Sequence, residues 1–204
     1  MTMDATTPQP TVVKTSRNVN FSKPGKTGNY SNSMTSPAKA KGNAWERKVA
    51  EHLTALYGEK FIRVPHSGAY IGGTNAHRKE VLHEGQIRSF KGDIIPGQSF
   101  PKFNAECKSY KDFPFHQLFQ GSCKQLDEWI NQTMDVADEG DFNILFMKFN
   151  RKGMFVAVQL PVDTKSLTLK NHLIYGSNKH GSWAIMEYEQ FWDVNTGAVR
   201  DLCK

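Results

Sequence analysis

The stretch KFNAECKSY, residues 102–110, alternates apolar and polar side chains with a period of two, which commits it to an extended strand rather than a helix. Phe103, Ala105 and Cys107 take one face, and Asn104, Glu106 and Lys108 take the other. A carboxylate and an ammonium thus become neighbours on a strand whose opposite face must be covered. Around this strand the remaining elements can be placed. GNAWERKVAEHLTALYG sets Trp45, Val49, Leu53 and Leu56 at helical spacing and ends on Gly58, a residue suited to a helix C-cap. Residues 60–64 read as a short strand stopped by Pro65, with His66, Ser67 and Gly68 in the loop that follows. Residues 92–95 and 102–110 read as two strands paired antiparallel across the turn-forming stretch 96–101. Residues 118–137 read as a helix, and residues 142–149 and 154–160 as a hairpin turning at 150–153. These elements give an α/β chain of order αβββαββ, followed by a last strand at 182–185 and a short helix at 187–192.

Charge divides the chain unevenly. The net charge is +6, and before residue 42 Lys14, Arg17, Lys23, Lys26, Lys39 and Lys41 face only Asp4, leaving +1 for the rest. The same stretch is Ser, Thr, Pro, Asn, Gly and Lys with isolated apolar residues, a composition that cannot offset the entropy of ordering. Residues 1–41 are therefore expected to be a disordered basic tail, either solubilising or an arm that neutralises phosphates, and residues 42–204 one folded domain. No apolar run reaches membrane-span length and no secretory leader opens the chain, which points to a soluble, cytoplasmic protein. Cys107, Cys123 and Cys203 are odd in number and form no CxxC pair, and the seven histidines form no HExxH, so a disulfide scaffold and local zinc chemistry are set aside.

The residues with chemistry to offer converge on one strand. A hairpin over 92–110 would bring Asp93 to the Glu106 side of the sheet, beside Lys108. Paired carboxylates hold a hard divalent cation, Mg2+ or Mn2+, which polarises a phosphodiester and activates water, while a lysine meets developing charge. The plain alternative is a surface Glu-x-Lys ion pair and a turn aspartate, but Ile94, Ile95, Ala105 and Cys107 set these charges against apolar surroundings. Glu46 lies along Ala50, Leu53 and Tyr57 at the edge of the buried helical stripe, where it can act as a third acidic ligand; as N3 after an Asn43 N-cap it would instead close a capping box. Arg78, Lys79, Arg88 and Lys91, in the polar stretch 69–92, read either as solvated loop cations or as contacts to a DNA backbone.

The succession GNAWERKVA, HSG, GDIIPG and NAECKSY, over residues 42–160, resembles the PD-(D/E)XK nuclease superfamily, most closely its archaeal-type Holliday-junction resolvases. The resemblance implies a restriction-endonuclease-like αβββαβ core, a mixed central sheet flanked by helices. It also implies a metal site at Glu46, Asp93, Glu106 and Lys108, with Ser67 contributing from the loop after the first strand. The implied activity is Mg2+-dependent, structure-selective DNA endonuclease action resolving four-way junctions as a homodimer, in recombination and repair, in association with the nucleoid or viral DNA. Two features depart from the pattern: residues 69–92 form an insertion, and Gly92 replaces the proline before the aspartate. Gln125 and Trp129 only faintly resemble the Gln-x-x-x-Tyr of the superfamily's exonuclease branch. Restriction-like or exonucleolytic cutting of duplex DNA is the nearest rival, and a non-catalytic DNA-binding accessory protein the more distant one.

Overall fold

The computed structural model describes residues 36–64, 91–160 and 166–204. Of the tail expected over 1–41, only residues 36–41 fall within this range, and they belong to the first helix. Helix α1, Pro37–Tyr57, starts earlier than its apolar stripe does. Ser36 caps it by accepting the Lys39 N–H at 3.3 Å, and Pro37 occupies the first turn, where its missing donor costs nothing. Gly58, at φ 70°, ends the helix and returns its N–H to the Thr54 carbonyl.

The central sheet has five strands: β3 (Phe103–Tyr110), β4 (Phe142–Phe149), β5 (Gly153–Gln159), β6 (Leu173–Ser177) and β7 (Gly181–Glu187), in the order β3-β4-β5-β7-β6. Only β3 and β4 run parallel, and the crossover they require carries α2 (Phe115–Phe119) and α3 (Lys124–Met134). The remaining pairs are antiparallel, including the expected β4–β5 hairpin. Both faces are covered. Phe103, Ala105, Cys107, Ile144 and Phe146 meet α1 and the last helix α4 (Tyr188–Leu202); Leu145, Met147, Trp183 and Ile185 meet Leu126, Trp129 and Ile130 of α3. This explains the near-continuous apolar run of β4, a strand buried on two sides. The architecture is mixed α/β with helices on both faces of a mixed sheet, as the sequence implied.

Several boundaries differ. The single helix expected over 118–137 is two, broken where Gly121 takes φ 79°. α4 runs to Leu202 rather than stopping near Trp192, and β6 had no counterpart in the sequence reading. The strand pairing at the site also changes. Strand β2 (Ile94–Ile95) pairs antiparallel with β1 (Ile62–Arg63), not with β3. The segment between β2 and β3 is no hairpin turn, because Phe100 is fully buried among Tyr57, Phe61 and Phe103 and pulls the chain into the core.

Gly92 makes this route possible. Its φ is 65°, and a Cβ there would lie 2.3 Å from the Ala105 carbonyl oxygen. A proline, held near φ −65°, has no place at this position. Gly92→Ala is expected to destabilise the protein by about 2–4 kcal/mol, from left-handed strain plus overpacking, measured by denaturant unfolding; a loss below about 0.5 kcal/mol would contradict this close approach.

Candidate active site at the edge of the sheet

Strand β3 is the edge of the five-stranded sheet, so its Ala105 carbonyl and Cys107 N–H point away from β4 toward an open side. Asp93 closes both groups. Its N–H donates to the Ala105 oxygen at 2.8 Å, and its Oδ2 accepts the Cys107 N–H at 2.8 Å. The side chain is thereby anchored across the position of Glu106. Asp93 is 4 % exposed and Glu106 8 %.

Alternation sends Asn104, Glu106 and Lys108 to the α3 face, as expected. Asn104 donates to the Thr133 carbonyl, and Lys108 Nζ donates to Glu106 Oε1 at 2.6 Å. Lys108 also donates to Gln132 Oε1 at 2.5 Å. Gln132 was missed in the sequence, although it follows Gln125 by two helical turns on the same face of α3. Trp129, weighed with Gln125 as a faint exonuclease signature, instead stacks on Phe113 and lies tilted against Tyr110.

Glu46 comes from the other side of the sheet edge. Because α1 begins at Pro37, Asn43 lies inside the helix and no capping box forms. Glu46 Oε2 accepts Arg63 Nε at 2.5 Å, and Arg63 Nη2 donates to Asn43 Oδ1 at 2.7 Å. A mid-helix carboxylate is thus held against β1 by an arginine.

The electrostatics follow from burial. Desolvation, then the Asp93 charge, push the Glu106 carboxyl up to about 7, and the Lys108 ammonium only partly offsets them. Glu46 is raised for the same two reasons, against the pull of Arg63. Burial works to lower Lys108, but attraction to Glu106 and their hydrogen bond outweigh it, so the ammonium is held above its ordinary value. Asp93 and Glu106 are hard oxygen donors whose charges are mutually unfavourable without a cation, a donor chemistry that fits Mg2+ or Mn2+. Among the described residues no group of three or more His, Cys, Asp or Glu side chains is gathered to hold an ion. The fit therefore rests on the Asp93 and Glu106 pair, with Glu46 engaged by Arg63.

Other expected residues fare differently. Lys91, grouped in sequence with DNA-contacting cations, is 6 % exposed; it donates to Asp138 at 2.9 Å and pairs with Asp141. These carboxylates, remote in sequence, neutralise it. Ser67, Arg78, Lys79 and Arg88 lie outside the described residues. No helix among the described residues is long and apolar enough to cross a membrane.

A family model described as "Phage putative PDDEXK endonuclease" matches residues 37–200. Comparison with curated proteins and with solved structures finds no match.

The raised Glu106 carboxyl has a thermodynamic consequence. Between its ordinary value of 4.5 and about 7, the unfolded chain releases a proton that the folded protein keeps, so this group's contribution to stability falls as pH rises. In chelator, wild type is expected to lose thermal stability relative to Glu106→Gln across that window, and a divalent cation at pH 7.5 should restore it. Parallel pH profiles for the two proteins would refute the assignment.

Proposed function

The chain belongs to the phage PDDEXK endonuclease family, and from that premise we propose a divalent-metal-dependent DNA endonuclease whose reacting centre is Asp93, Glu106 and Lys108 on the edge of β3. The observation that carries this reading is a pair of buried carboxylates, Asp93 and Glu106, the second of them hydrogen-bonded to the half-buried Lys108 ammonium. Asp93 and Glu106 would hold the cation, which when bound supplies Lewis-acid polarisation of the phosphate and a lowered pKa for water. Asp93 would take part with one oxygen already fixed by the Cys107 N–H, which holds the carboxylate in place.

Lys108 stays protonated at neutral pH, so it is a donor and not a base. Two of its three N–H groups go to Glu106 and Gln132, which leaves one for the attacking water or a phosphate oxygen. Gln132 thus orients the ammonium, and Glu46, steadied by Arg63, adds negative charge behind Asp93. In the hydrolysis, the water oxygen bonds to phosphorus as the bond to the leaving sugar oxygen breaks, and the developing charge falls beside Lys108.

The substrate proposed is branched DNA, a four-way junction nicked in pairs by a two-fold dimer. The test is cleavage of matched four-way junction, flap, linear duplex and single-stranded DNA with Mg2+ or Mn2+, comparing wild type with Asp93→Asn and Lys108→Ala. Each substitution is expected to lower the rate about a hundredfold or more. Paired, junction-selective nicks support resolution. Equal cutting of linear duplex assigns the same site to restriction-like action, and metal-independent binding without cutting returns the protein to an accessory role.

A further inference from the structure

Beyond Lys108 the same face of β3 continues to Tyr110, about 6.8 Å further along the strand by the pleat repeat. Tyr110 is 45 % exposed, one of the few large apolar side chains among the described residues that face solvent. Its ring lies against Trp129 at 4.9 Å between centroids, inclined by 37°. Trp129 is itself stacked on Phe113 and Phe149, at 5.5 and 6.2 Å. The exposed ring is therefore the outermost member of a supported aromatic column.

A groove of about 450 Å³ opens beside this column between β3 and α3, with Gln117 and Gln125 on its walls. Neither side-chain amide makes a hydrogen bond among the described residues. Lys111 and Lys124 are exposed nearby, and the acidic wall residue Glu128 lies 3.9 Å from Lys124. A flat aromatic ring, free amides and surplus cations match a nucleotide: base face, base edge and phosphate.

We infer that Tyr110, backed by Trp129, is a stacking platform for an unpaired nucleobase adjoining the scissile phosphate, with Gln117 and Gln125 facing the base edge. The inference rests on the nuclease reading of Lys108 and names its substrate class. In an intact duplex, both faces of a base are covered by its neighbours, so this platform serves DNA with a frayed or single-stranded nucleotide at the cut, such as a flap, a crossover or an end. The pleat between Lys108 and Tyr110 is short enough for phosphate and base to belong to neighbouring nucleotides.

The test uses the full chain and oligonucleotides carrying one 2-aminopurine, placed either in an unpaired position or within continuous duplex, in chelator. Wild type should quench the unpaired probe and leave the duplex probe unchanged. Tyr110→Phe should retain the quench, and Tyr110→Ala should lose it and weaken binding roughly five- to one-hundredfold. With Mg2+, Tyr110→Ala should raise KM more than it lowers kcat. Thermal midpoints check folding, and Gln125→Ala, which leaves every ring of the column in place, gives an independent variant expected to weaken unpaired over duplex binding. If wild type cleaves DNA while Tyr110→Ala matches it in quench and KM, the platform is overturned and the nuclease stands. If wild type neither binds nor cuts any of these DNAs, the nuclease reading falls and the platform with it.

Discussion

Asp93 satisfies, with one residue, the two backbone groups that the edge of β3 leaves open between Ala105 and Cys107. An edge strand needs such cover, because unpaired N–H and C=O groups recruit other chains. Here the cover is a carboxylate, and the residue bracketed between its two contacts is Glu106. The proposed chemistry and the protection of the edge therefore share one side chain. Gly92 lets the main chain come close enough to make both bonds, and Phe100, buried between β2 and β3, keeps the approach from relaxing into a hairpin. The β1–β2 pair then brings Arg63 to Glu46.

Burying like charges this way is costly, and the surroundings temper that cost unevenly. Lys108 answers Glu106, Arg63 answers Glu46, and a main-chain N–H answers Asp93. Glu106 remains under-compensated, raised by desolvation and by Asp93. That imbalance is what the proposed cation would relieve. Lys91 shows the opposite balance: two aspartates surround a single cation, so nothing is left over for a ligand.

Much of this was legible in the sequence because period two along residues 102–110 has one physical solution. The faces of β3, the β4–β5 hairpin and the stripe of α1 followed from spacing alone. What escaped depended on partners distant in sequence. Lys91 read like any cation of a polar stretch, because the partners that bury its charge, Asp138 and Asp141, come from far along the chain. Gln132 carried no motif, and only the β3–α3 contact gave it Lys108. The start of α1 was misplaced because Ser36 and Pro37 act through local caps rather than apolar periodicity. β2 found β1 because a buried phenylalanine outweighed the turn residues around it.

The bond from the Val64 N–H to the Asp93 carbonyl, 2.9 Å long, ties together two points separated by a long run of chain. This bond, the β1–β2 pair and the Lys91 ion pairs clamp the two points together. Asp93 is thus fixed from two directions, by Val64 on the β1 side and by the edge of β3 on the other, and its place is set by main-chain bonds rather than by its own side chain alone.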